Sequence, residues 1–152
     1  MKKSLFDSPQ FGYDEVYFED TYKMALDAPL LISKGVVYNN KSDFIKTDAV
    51  WDTGSDISSI SSYIADKLKL PCELTGRKLN TANGLVDEKI CTTNFIVVND
   101  NASYAFQSIE HKVRVSEQNV PSLIIGMDII GTGKFTLYHS AGFLNLFFES
   151  LR

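Results

Sequence analysis

From Pro29 onward the chain is a succession of short apolar runs broken by turn-forming residues, the texture of strands rather than of long amphipathic helices. Leu30-Leu31-Ile32, Val36-Val37-Tyr38, Phe44-Ile45 and Ala49-Val50-Trp51 predict strands, with Asn39-Asn40-Lys41-Ser42 as a hairpin turn between two of them. Segments 77–81 and 85–92 flank Asn83-Gly84, a pair that tolerates the positive φ of a type I′ turn and so predicts a second hairpin. Asn94-Phe95-Ile96-Val97-Val98 and segments 104–109 and 112–115 continue the β pattern, and Leu123-Ile124-Ile125 runs into Gly126. Segments 135–138 and 143–148 predict a closing hairpin about Ser140-Ala141-Gly142.

Helical spacing is confined to two places. Ile60, Ile64 and Leu68 recur every four residues, Ser61 or Ser62 fits the N-cap, and Pro71 stops the run, predicting a helix over 61–70. A second, shorter helix is expected over 127–130. Many short strands with one or two short helices imply a mainly β, closed-barrel domain. Residues 1–28 mix polar and aromatic residues, with apolar character only at Val16-Tyr17-Phe18 and Met24-Ala25-Leu26. They read as an N-terminal extension with one or two short strands, either an arm over a site or between subunits, or an ordinary barrel strand. Residues 29–152 read as the domain proper.

Composition narrows the class. At 152 residues the chain fits one domain able to bury a real core, with 44% apolar and 22% charged residues. Ten Phe and seven Tyr favour strands. A net charge of −4 steers nothing toward phosphate backbones, so nucleic acid is not an expected partner. No window has the length of an apolar membrane span, and the basic start lacks a signal-like apolar stretch, so a cytoplasmic protein is expected. Two cysteines, Cys72 and Cys91, are too few for a disulfide scaffold and are expected as free thiols, with a single bridge between them as the alternative for an exported chain.

Chemistry concentrates at Val50-Trp51-Asp52-Thr53-Gly54-Ser55. A carboxylate there ends an apolar strand, Gly54 gives the backbone room to turn, and Ser55 places a hydroxyl within reach of the carboxylate. The plain alternative is an Asx turn, with Asp52 bonded only to its own backbone. Other candidates are weaker. The segment 126–134 has glycines and Lys134 but lacks the Ser or Thr of a phosphate loop. His111 and His139 lack zinc-ligand spacing, and the serines at 58, 59, 61 and 62 suit helix capping.

The order of Asp52-Thr53-Gly54-Ser55-Asp56, the helix, the Asn83-Gly84 hairpin and Ile124-Ile125-Gly126 resembles the retropepsin-like, single-lobe aspartic proteases across roughly residues 29–148. The resemblance implies a closed acid-protease barrel with Asp52 catalytic. Thr53 would join crossed hydrogen bonds at a dimer axis, Gly54 would line the cleft, and Ser55 would buttress the carboxylate. Asp56 would meet substrate backbone, Asn83 and Gly84 would tip a flap, and Ile124, Ile125 and Gly126 would support the active-site loop. Retroviral members often follow that glycine with an arginine that pairs the second acid. Here Met127 stands there, which leaves Asp56 without an expected partner. One Asp-Thr-Gly per chain implies a homodimer acting on peptide or protein substrates, with no metal or cofactor. The competing expectation is a retropepsin-like module that binds peptides without cleaving them.

Overall fold

The computed structural model describes residues 15–23 and 31–151. In chain order the elements are β1 (Glu15–Lys23), β2 (Leu31–Tyr38), β3 (Phe44–Trp51), β4 (Ser59–Ser61), α1 (Ser62–Lys67), β5 (Cys72–Thr81), β6 (Gly84–Val98), β7 (Ala105–Ser116), β8 (Leu123–Ile125), α2 (Met127–Ile130), β9 (Gly133–Ser140) and β10 (Phe143–Leu151). Burial alternates along most of β2 and through the end of β3, so Ser33, Gly35, Val37, Ala49 and Trp51 point inward, and Tyr38 at the end of β2 is buried as well. Such a one-sided apolar surface is buried by curling the sheet on itself. β2 pairs β3 on one side and β6 on the other, so the order β2-β3-β8-β4-β7-β6 closes into a barrel. The β3–β8 and β4–β7 pairs are parallel and the others antiparallel. β5 hangs outside the ring as the second arm of a long hairpin with β6.

A second, antiparallel sheet of order β1-β10-β9 packs against the barrel. It delivers Phe18, Leu146 and Phe148 to the same core that holds Phe95, Phe106, Leu123 and Ile125. The rings of Phe18, Phe106, Phe135 and Phe148 surround Trp51 at centroid distances of 5.4 to 6.0 Å. Asp20 on β1 is buried, and its carboxylate accepts hydrogen bonds from the Ser33 hydroxyl (2.8 Å) and the Asp100 N–H (3.3 Å). The Trp51 indole N–H donates to the same Ser33 oxygen at 3.1 Å. β1 is therefore stitched to the strand that precedes Asp52. The apolar segment Met24-Ala25-Leu26 lies outside the described residues.

The structure corrects four local expectations. The helix expected over 61–70 spans only Ser62–Lys67, because Lys69 turns to φ 50° before Pro71 is reached. The clustered serines do not cap it. Ser61 occupies the N-cap position with no side-chain cap bond, and its oxygen accepts the Ser122 N–H instead. The β5–β6 turn sits at Ala82 and Asn83, with Thr81 paired to Gly84, and only Gly84 takes a positive φ (103°). This matches a turn closed by a left-handed glycine rather than a type I′ turn. Finally, Cys72 and Cys91 are not free thiols but form a disulfide between facing positions of β5 and β6.

Candidate active site

β3 carries its last core residue at Trp51, and the chain then leaves the barrel wall in a loop over residues 52–58. β8 lies directly between the two strands this loop connects, with Val50 beside Ile124 on one side and Ser59 beside Ile124 on the other. Main-chain hydrogen bonds tie the front of the loop to this strand and the residues that follow it. The Asp52 N–H donates to the Ile125 carbonyl (2.9 Å), and the Met127 N–H donates to the Ser55 carbonyl (2.7 Å). A Cβ on Gly126 would stand 2.7 Å from the Ile57 carbonyl carbon and 2.9 Å from the Ser55 oxygen. Only hydrogen fits where the two segments cross.

Asp52 is half-buried. Its Oδ1 accepts the Gly54 N–H at 2.9 Å, while the Ser55 N–H donates to the Asp52 carbonyl at 3.2 Å. The Asx turn is therefore present, and it orients the carboxylate rather than consuming it. Among the described residues no further hydrogen bond reaches this carboxylate. Thr53 and Gly54 are exposed at the loop apex. Ser55 departs from expectation, since its hydroxyl donates to the Ile57 carbonyl (2.8 Å) and so is not directed at Asp52.

The far end of the loop rests on a polar cluster that spacing along the chain did not disclose. Ser58 is fully buried, and its oxygen accepts the Gly126 N–H (3.0 Å). Its own N–H and hydroxyl both donate to Asp128 Oδ1, at 2.8 and 2.7 Å. His111 Nε2 lies 2.8 Å from Asp128 Oδ2. Burial pushes the Asp128 carboxyl upward, but the hydrogen bonds from His111 and Ser58 outweigh it and hold the group below the ordinary carboxylate range. His111 is thus a partner of the site's support, not an isolated strand residue.

Asp56 is also corrected. The missing arginine is supplied from β7, where Arg114 Nη1 meets Asp56 Oδ1 at 3.1 Å. The hydrogen bond from Arg114 lowers the Asp56 carboxyl from its ordinary value. Asn83 and Gly84 lie at the exposed tip of the β5–β6 hairpin, followed by the strongly exposed Leu85. Ile124 and Ile125 flank the loop as strand β8.

No family model matches the sequence, and no curated protein matches it. The fold does have solved counterparts. A retropepsin-like aspartic protease from Rickettsia conorii aligns with a TM-score of 0.58 at 20% identity, over 91% of this chain and 96% of that one. The EIAV protease in complex with the inhibitor HBY-793 aligns with a TM-score of 0.45 at 15% identity, over 71% of this chain and 91% of that one. The chain has a retropepsin-like fold, a single mainly β lobe with a closed barrel and two short helices among the described residues. The likeness to aspartic proteases concerns the fold.

Proposed function

We propose that the chain is an aspartic endopeptidase active as a homodimer, with one Asp52 from each copy. The observation that carries this reading is the half-buried Asp52, its carboxylate oriented through one oxygen by Gly54 and otherwise unengaged among the described residues, on an Asp-Thr-Gly-Ser loop of a retropepsin-like barrel. Two such carboxyls at short range share one proton and titrate as a pair. The ionised member takes a proton from water as the water oxygen attacks the peptide carbon, and the protonated member donates to the carbonyl oxygen. The carboxyl that gained the water proton then protonates the amide nitrogen as the C–N bond breaks, while a hydroxyl proton of the tetrahedral diol passes to the other carboxylate, so the pair again holds one proton.

One lobe supplies one carboxyl, so the second copy completes the site. The C-terminal sheet suits that contact. β9 is an edge strand among the described residues, Leu137 and Tyr138 on it are exposed, and so is Phe143 at the start of β10. The β5–β6 hairpin serves as the flap over an extended peptide, with Asn83 and Gly84 at its tip and Thr53 at the dimer axis. Peptide backbone meets Asp56, and apolar residues near the tip favour apolar substrate side chains.

The test compares wild type with Asp52→Asn on a peptide library at several pH values and chain concentrations. Wild type should cleave with a bell-shaped profile on the acidic side and gain specific activity with concentration, while the variant should lose cleavage yet keep its fold. Equal cleavage by both removes Asp52 from the chemistry. Cleavage by neither puts the peptide-binding module first.

A further inference from the structure

Glu88 is the most conspicuous buried charge in the molecule, at 2% exposure, and it lies on β6 within the flap. β5 and β6 pair regularly from Thr81 and Gly84 down to Lys78 and Asp87, then resume at Leu74 and Lys89. Thr75, Gly76 and Arg77 therefore bulge opposite the single residue Glu88, with Gly76 at φ 82°. A bulge bends and twists its strand, and here it marks where the flap arm leaves the barrel. Glu88 closes that bend from inside. Its Oε1 accepts the Thr75 hydroxyl at 2.9 Å, and its Oε2 accepts Arg114 Nε and Nη2 at 3.2 and 3.0 Å.

The same guanidinium has a third contact. Nη1 reaches Asp56 on the active-site loop, while the Arg114 main-chain N–H donates to the Ser58 carbonyl at 2.9 Å. Arg77 adds a longer ion pair to Glu88 at 3.6 Å but is largely exposed. Hydrogen bonds from Thr75 and Arg114 hold the Glu88 carboxyl below its ordinary value against the upward push of burial. A planar fork with several fixed N–H directions suits this three-way geometry, which a single ammonium does not reproduce.

We propose that Arg114 is a positioning residue that fixes the flap root against the active-site loop, holding Glu88 at the bulge and Asp56 at the loop with one guanidinium. The consequence for peptide turnover rests on the endopeptidase reading above, but the mechanical part does not. Arg114 sets where the flap arm starts, so it governs how well the arm over residues 78–87 closes on an occupant. The effect falls on capture of the peptide more than on the chemical step.

The experiment measures hydrogen exchange across the full chain for wild type, Arg114→Lys and the doubly neutral Glu88→Gln/Arg114→Met, alongside KM and kcat on a cleaved peptide. The double variant leaves no lone buried charge and so guards against simple unfolding. Hydrogen bonds to charged groups are strong enough that amides of 78–87 should exchange about tenfold faster in both variants, with β3 and β8 amides unchanged. KM should rise several-fold with kcat moving less. Exchange that rises equally in flap and barrel, or not at all in the flap, overturns the proposal, as does a loss confined to kcat. Should wild type cleave nothing, the exchange comparison still decides the flap assignment, while the endopeptidase reading fails separately.

Discussion

The loop at Asp52 and the β5–β6 hairpin proposed as the flap are held by opposite means. The loop is locked by main-chain bonds to β8 and by a glycine crossing that admits no side chain. Charged groups support it at two points, half-buried Asp128 behind Ser58 and Arg114 against the exposed Asp56. The flap beyond its bulge has a ladder of its own, side chains that are mostly exposed, and a root held by Glu88, Arg114 and the Cys72–Cys91 bond. The loop is thus fixed largely by backbone, which has few alternative conformations, and the hairpin arm is hung from side chains and a disulfide near its root.

Exchanging the Asp52 carboxylate for an amide breaks the first half of the comparison most severely. Asp52→Asn keeps an acceptor for the Gly54 N–H but cannot take a proton from water, so turnover should fall by about 10²–10⁴-fold. Melting temperature and sedimentation should stay near wild type, which separates chemistry from folding.

On the flap side, reduction of Cys72–Cys91 should be the most disruptive single change. Thiol titration of the unfolded chain should find none before reduction and two afterwards. With a sequence separation of 19, loss of the cross-link should cost about 3 kcal/mol in a denaturant titration. The loosening should appear in β5 and β6 before the Asp52 loop.

Gly126→Ala tests the crossing. A Cβ 2.7 Å from main-chain carbon cannot be absorbed by a rotamer change, so stability should drop by about 1–3 kcal/mol or more, with exchange rising through residues 52–58.

Asp128→Asn sharpens the same region through pH. The folded carboxyl sits below its ordinary value, so the folded state binds fewer protons than the unfolded chain in the acid range. Its stabilisation is complete above the ordinary carboxylate range and is lost as pH falls through the folded value. The variant should therefore be less stable near neutrality and show a flatter loss of stability below about pH 4 in thermal melts. At the small end, Leu85→Ala at the strongly exposed flap tip should move stability by no more than about 0.5 kcal/mol while raising KM for apolar peptides.

Much of this molecule is legible along the chain because its causes are local. Strand positions follow from short apolar runs between turn residues, the turns at residues 39–42 and 141–142 from their small polar residues and glycine, and the Asp-Thr-Gly-Ser loop from its own composition. Placing Ile124-Ile125-Gly126 beside that loop required the resemblance as well. What the chain alone leaves open is register, which depends on which faces bury one another across the barrel. Continuing the pairing of Thr81 with Gly84 without interruption would set Cys72 opposite Thr93. The bulge at Thr75, Gly76 and Arg77 shifts the partner strand by two residues, and Cys72 meets Cys91 instead. The same shift sets Glu88 opposite the bulge, and the β6–β7 register places Ile90 beside Arg114, whose side chain then reaches Glu88 and Asp56. Ser58, His111 and Asp128 likewise come from the Asp52 loop, β7 and α2, and meet only once these are packed together. Local pattern decides which residues form strands, and burial across the closed sheet decides which charges become neighbours.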